Sequence, residues 1–327
     1  MKRFERIIRR LLESGVSPVY SDPHFSLRLD WDQMPEGVDP ASGFLNDSRA
    51  IRKRWQIENF IEIAQSLLKG DEFVVDFCSG SGHLSLPMAY LFPNCHFIIV
   101  ERNPIPLDIG KKRIEDSGLK NVEIFNGYIQ DFHEKFDLGV AIHACGKATD
   151  YAQMRCIENS VPYILCPCDI GYIKNSELTY PRSSYLSRML TREEYNVLAK
   201  TADWTNWDFE NEKTKAGKLC MGYISFDRNL LAEETGYETY LFTIFPREST
   251  PKNDIICGFP EGSKSIKIFE KIRLYPSEIV KPKGYRYDIE KGVQKSIDRQ
   301  AECLLRKWHF NGEENQDCLF PVVSSIE

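Results

Sequence analysis

The chain has 327 residues, a formal charge of −6 and a pI near 5.7, so no overall positive field draws it to nucleic acid. No apolar run approaches the roughly 18 residues that span a bilayer, and the start lacks a signal-peptide pattern. Ten cysteines are scattered among apolar runs without small-domain spacing, which reads as reduced thiols in a cytoplasmic protein.

Residues 1–12 form a short basic amphipathic helix, and Glu5 and Glu13 argue against a mitochondrial presequence. The Pro-, Asp- and Gly-rich passage 20–43 is expected to be irregular, so 1–45 is read as a helical and irregular extension. Residues 49–68 are predicted helical, with Ile57, Phe60, Ile61, Ala64, Leu67 and Leu68 on one face and Gly70 as terminator. Arg49, Arg52, Lys53 and Arg54 on its first turns face solvent or contact phosphates. Strands are then predicted at 73–77, 97–100, 122–126, 136–143 and 162–166, with helices at 83–92, 106–117 and around 151–158. This alternation implies an α/β, doubly wound parallel sheet with helices on both faces. After a helix near 192–201, the runs 219–226 and 238–245 read as a closing strand pair flanking a short helix at 230–235. The unit is expected to span 46–260. The remainder, 261–327, is a basic extension: residues 261–310 hold 8 Lys and 4 Arg against 2 Asp and 5 Glu, with Tyr275, Tyr285 and Tyr287 interspersed. That composition suits a nucleic-acid contact and equally an ordinary exposed tail.

The most informative stretch runs from Val74 to Leu84, a buried strand that breaks into a glycine turn before a helix. Glycines serve where backbone passes close under a nucleotide. Glu101 closes the next apolar run, where a carboxylate can accept hydrogen bonds from both ribose hydroxyls. A dinucleotide site uses G-x-G-x-x-G, but here Ser85 stands in the third glycine's place. Asp76 ahead of the turn instead fits D-x-x-x-G-x-G, the first motif of S-adenosylmethionine (SAM) methyltransferases. SAM carries a positive sulfonium and no pyrophosphate, so a carboxylate beneath the turn suits it. The closing strand pair, read as antiparallel at the end of a seven-stranded, mostly parallel sheet, points the same way.

Ligands sit beyond the carboxyl ends of parallel strands. Two such ends, His143 to Asp150 and Cys166 to Tyr172, should overhang the reacting group. His143 is the candidate catalytic base, since its ordinary pKa lies near neutrality; the alternative is a strand-end histidine bonded to backbone. Asp150 is expected to cap the following helix. Cys145, Cys166 and Cys168 are expected to lie together as inert buried thiols. A zinc site would need a further ligand such as His143, and no metal ion is expected. Pro167 and Asp169 complete the acceptor side.

The segments His143-Ala144-Cys145-Gly146-x-Ala148-Thr149-Asp150 and Cys166-Pro167-Cys168 resemble the methyltransferase-like domain of the glutathione S-transferase C-terminal domain-containing proteins. The likeness continues in Gly217-Lys218-Leu219-Cys220-Met221, Asp227-Arg228, Ala232-Glu233-Glu234-x-Gly236-Tyr237 and Ser249-x-Pro251-Lys252-Asn253, covering roughly residues 47–260. More distantly, Cys145-Gly146-x-Ala148-Thr149-Asp150 is similar to an element of the tRNA 2′-O-methyltransferases that act on the acceptor stem. The resemblance implies a Rossmann-like class I SAM-dependent methyltransferase. It implies Asp76, Ser79, Gly80 and Gly82 at the methionine end of SAM, Glu101 at the ribose, and Tyr128 and Ile129 beside the adenine. Two residues depart from the family pattern: Asp169 replaces a second adjacent cysteine and Ser81 replaces a glycine. No segment ahead of the domain is long enough for a glutathione-transferase module, so glutathione chemistry is not carried over.

The leading expectation is a SAM-dependent methyltransferase whose acceptor is unidentified, with RNA one candidate. No membrane association and no obligate protein partner are expected. The alternatives are a non-catalytic SAM-binding module, favoured by the absence of an N-P-P-Y tetrapeptide or a K-D-K-E tetrad, and an NAD(P)-dependent oxidoreductase.

Overall fold

The computed structural model describes residues 2–21, 25–43 and 45–262. In chain order the helices and strands are α1 (Arg3–Glu13), α2 (Asp47–Ala64), β1 (Phe73–Phe77), α3 (Ser85–Leu91), β2 (His96–Glu101), α4 (Pro104–Ser117), β3 (Val122–Asn126), β4 (Leu138–Cys145), α5 (Lys147–Asn159), β5 (Tyr163–Cys168), α6 (Ser184–Ser187), α7 (Arg192–Ala202), α8 (Glu212–Glu233), β6 (Tyr237–Thr243) and β7 (Asp254–Pro260). The strands form one sheet in the order β3-β2-β1-β4-β5-β7-β6. All neighbours are parallel except β7, which runs antiparallel to both β5 and β6.

Because side chains alternate across a strand, each strand supplies both faces of the sheet. Val74, Phe97, Val140 and Ile164 join α2 and α3 in one apolar layer. Val75, Ile98, Ala141 and Leu165 join α5 and α8 in the other. The expected extension packs into the first layer through Phe25, Leu27, Leu29 and Trp31. Its backbone is held by acids of α2: Glu62 accepts from Ser26 and Leu27 N–H, and Glu58 from Leu29 N–H and the Trp31 indole. Helix α1 packs with α7 and α8 in a separate cluster. The expected basic extension, apart from its first two residues, lies outside the described residues. Among the described helices, none is long and apolar enough to cross a membrane.

One expectation is overturned. Residues 219–226, read as a strand, lie inside α8. Leu219, Cys220, Met221, Tyr223 and Ile224 are all buried, because α8 is enclosed between α1, α7 and the sheet. A helix buried all round loses the polar stripe that marks its period, leaving a continuous apolar run like that of a buried strand. The partner of β6 is instead β7, reached through the turn at Pro246 and pairing Tyr240 with Cys257.

Candidate functional site

The turn after β1 has left-handed backbone at three alternate residues: Cys78 at φ 57°, Gly80 at φ 60° and Gly82 at φ 75°. Below it Asp76 is buried, its Oδ2 accepting from the Ser79 hydroxyl at 2.7 Å and the Ser85 hydroxyl at 2.5 Å. Ser85, where a dinucleotide site would place a glycine, is thus committed to Asp76. Burial pushes the Asp76 carboxyl up to about 6, against the lowering effect of those hydroxyl bonds. On the far side the buried Arg113 guanidinium donates to the carbonyl of Ser81 and to those of Gly37, Val38 and Asp39. It therefore ties turn, α4 and extension into one unit. Arg113 was not legible as a site residue. The available signal is that it continues the buried stripe Leu107–Gly110–Arg113, where a lone arginine must find carbonyls.

Glu101, at the tip of β2, turns toward the glycines. Its Oε2 accepts from Gly80 N–H at 3.0 Å and its Oε1 from Asn103 N–H at 2.7 Å. The two glycines differ in their surroundings. A Cβ on Gly80 would meet nothing within 4 Å, whereas one on Gly82 would press on Ile99 and Leu86 at 3.1 Å. Gly82→Ala is therefore expected to cost about 2 kcal/mol of stability through overpacking and positive φ. Gly80→Ala should cost about 1 kcal/mol from backbone strain alone. Urea denaturation of the two variants checks the order, which equal costs would contradict. Tyr128 is exposed beside the Arg102 guanidinium, 5.3 Å from its ring centroid, and Ile129 is buried at the start of the short 3-10 turn Ile129–Asp131 that follows β3. Asp76, Ser79, Gly80, Gly82, Glu101, Tyr128 and Ile129 thus line the tips of three adjoining strands.

The next tip carries His143, at φ 62° where the β4–β5 register slips. Its ring bonds Gln56 Oε1 at 2.9 Å, and that same oxygen accepts from Lys53 Nζ at 3.0 Å. Gln56 in turn donates to the Ser249 carbonyl. His143 is thus bonded to a side chain, which neither sequence reading foresaw. Burial, with the nearby Lys53 charge, pushes it down to about 3. Burial likewise lowers Lys53 to about 8. Three of the four basic residues singled out on α2 diverge: Arg54 pairs with Asp39, Arg52 stacks on Trp207, and Lys53 turns to Gln56 at the β4 tip. Lys53 and Gln56 went unrecognised as cleft residues. Their signal was the i, i+3 spacing of two polar groups on the buried face of a helix.

His143 should stay neutral across physiological pH, its imidazole NMR shifts showing no titration between pH 5 and 8. An inflection near 6.5 would contradict this. Since the unfolded ring binds its proton near 6.5 and the folded ring only near 3, the group favours the folded state above 6.5. That contribution is lost as pH falls toward 3.

Asp150 is neither a helix cap nor on the acceptor side. Gly146 occupies the N-cap position of α5, and Asp150 lies within its first turn, fully buried. There it takes Arg228 Nε at 2.8 Å and the Tyr180 hydroxyl at 2.5 Å. Both partners of this ion pair are fully buried. Cys166 and Cys168 are buried as expected, but Cys145 is exposed. Cys145 Sγ lies 2.7 Å from Cys168 Sγ and 3.3 Å from Asp169 Oδ2. Cys166 Sγ points elsewhere, to the Lys252 carbonyl. Pro167 pairs across the sheet with Ala144, beside His143.

The strand order, the antiparallel β7 and a glycine turn answered by an acid on β2 define a class I methyltransferase fold. A family profile described as a methyltransferase domain matches residues 52–169. Over 253 residues it is 34% identical to the glutathione S-transferase C-terminal domain-containing protein of Mus musculus, covering 77% of this chain and 40% of that protein. The Drosophila melanogaster homologue is 34% identical over 235 residues, 70% of this chain and 40% of that one. The chain spans 40% of the length of these curated relatives. Among solved structures, an rRNA methylase from Streptococcus thermophilus is 11% identical with a TM-score of 0.38, covering 63% of this chain and 96% of that one.

Proposed function

We propose that the chain is a SAM-dependent methyltransferase. The observation that carries this is Glu101, bonded to the Gly80 N–H across the β1 and β2 tips, with open space above Gly80. A carboxylate there suits a ribose diol, and a turn without side chains suits the sulfur end of the nucleoside. Asp76 would balance the cationic methionine end from below, while Tyr128 and Ile129 would flank the adenine. When bound, SAM supplies a methyl group already activated by its sulfonium. The chain's own work is then alignment, exclusion of water and reception of a proton. Lys53, close to losing its proton at pH 8, is the group better suited to receive it, while His143, held neutral by burial and so a weak base, would position Lys53 through their shared Gln56 oxygen.

RNA is the acceptor class we favour. Exposed aromatics next to cations, Trp207 with Arg52 and Tyr128 with Arg102, suit unstacked bases. The eight free cysteines among the described residues support a cytoplasmic, reducing setting. A second reading, a SAM-binding module without catalysis, is favoured by the engagement of the His143 ring with Gln56.

Transfer of labelled methyl from SAM to total RNA and to protein extract separates the two. The enzyme reading expects label in RNA, reduced about 100-fold in Lys53→Gln or His143→Ala. Binding of S-adenosylhomocysteine without transfer to either extract would favour the module.

A further inference from the structure

We propose that the tips of β4 and β5 form a site for a thiophilic divalent cation of the zinc class, held by Cys145 Sγ, Cys168 Sγ and an Asp169 carboxylate oxygen. These donor atoms all lie within 4.8 Å of one another. The strand register sets Cys145 directly opposite Cys168, so both sulfurs emerge on the same side of the sheet. Asp169, the next residue, has left-handed backbone at φ 36° and brings Oδ2 to 3.3 Å from one sulfur and 3.9 Å from the other.

Two sulfurs and one carboxylate oxygen form a zinc donor set. Zinc lies about 2.3 Å from a thiolate and about 2.1 Å from a carboxylate oxygen, so tetrahedral sulfurs stand about 3.7 Å apart. Binding therefore has to spread the present pair by about 1 Å, a side-chain rotation open to Cys145 because it is exposed. Three protein ligands leave a fourth position for water or a substrate atom, as catalytic rather than structural zinc sites do. Each cation bound as a dithiolate releases two protons from the thiols.

The carboxylate distinguishes this site from a latent disulfide, since it contributes nothing to a sulfur–sulfur bond. Among the described residues, the hydrogen bonds of the Asp169 carboxylate come from these two thiols. The His143 imidazole is not the missing ligand, because its ring is held by Gln56. The His143 carbonyl lies 3.1 and 3.4 Å from the two sulfurs, an alternative acceptor for the thiol protons before a cation displaces them. The site does not depend on methyl transfer by the domain, and its test reads metal alone.

The full chain, reduced and freed of metal, is titrated with Co²⁺ and then Zn²⁺. One equivalent of Co²⁺ should produce a near-ultraviolet thiolate charge-transfer band that one equivalent of Zn²⁺ abolishes. Cys145→Ser should at least halve the band and weaken Zn²⁺ about 100-fold, and Asp169→Asn should keep the band while weakening Zn²⁺ about 10-fold. Cys145 and Asp169 are exposed, so these variants should fold, which circular dichroism verifies. Cys95→Ala, at a buried thiol bonded to the Gly70 carbonyl, should match the parent. Absence of the band, an unchanged band in Cys145→Ser, or a Cys145–Cys168 disulfide persisting under reducing conditions would overturn the proposal.

Discussion

Replacing Glu101 with alanine should abolish the rise in melting temperature that S-adenosylhomocysteine produces, weakening its binding by at least about 100-fold. Each Glu101 oxygen accepts one backbone N–H, from Gly80 and Asn103, and each keeps a lone pair for a ribose hydroxyl. Hydrogen bonds to a charged group contribute about 1.5–3 kcal/mol each, so losing two gives about 3–6 kcal/mol, or 10²- to 10⁴-fold. Glu101→Gln keeps one oxygen acceptor and should fall between alanine and the parent. Part of the alanine effect could arise from a loosened turn, so the ligand-free protein is the control. Gly80 and Asn103 N–H can turn to water there, and the ligand-free loss should stay near 1 kcal/mol. Undiminished ligand binding by Glu101→Ala would remove the ribose role.

Arg228→Met should destabilise the chain by about 3–5 kcal/mol, the largest loss of folding stability expected of the substitutions proposed. The Arg228 and Asp150 side chains are both fully buried and joined by two hydrogen bonds, of 2.8 and 3.1 Å. Arg228 Nη2 also reaches the Gly146 carbonyl at 3.3 Å, at the turn between β4 and α5. Removing the cation leaves Asp150 ionised and fully buried, with the Tyr180 hydroxyl at 2.5 Å and the Arg182 guanidinium at 3.8 Å as its remaining partners. Adding Asp150→Asn removes the stranded charge and should recover part of the loss, so the pair is expected to be non-additive. Urea midpoints at constant m-value measure both effects. A loss below 1 kcal/mol in Arg228→Met would mean that the pair does not hold α8 against α5.

Much of the parallel half of the sheet was legible in the sequence. Both β1 and β3 were bounded to the residue, since turn chemistry closes them on each side: Gly70 and Gly80 around one, Gly118 and Gly127 around the other. Of the antiparallel edge, the strand β6 was legible, read at 238–245 and found at Tyr237–Thr243, but its partner was not. The run 219–226 carries strand-like composition but belongs to a buried helix, and β7 follows Pro251 and Asn253 in a passage that reads as loop. At the site, Glu101 could be placed by spacing alone, because strand ends and turns repeat on a fixed pitch. Lys53, Gln56 and Arg113 could not, since they reach the turn and the β4 tip from helices whose packing angle no local pattern encodes. Asp150 was misassigned for a related reason. A first-turn acid looks like a cap until its partner, 78 positions later, is known.

The turn between β1 and α3 should hold a sulfonium nucleoside. Calorimetric titration of the full chain with S-adenosylhomocysteine, beside NADH as competitor, tests this. One site per chain with micromolar affinity, lost in Glu101→Ala and indifferent to NADH, is the expected result. No heat at millimolar ligand, or displacement by NADH, would contradict it.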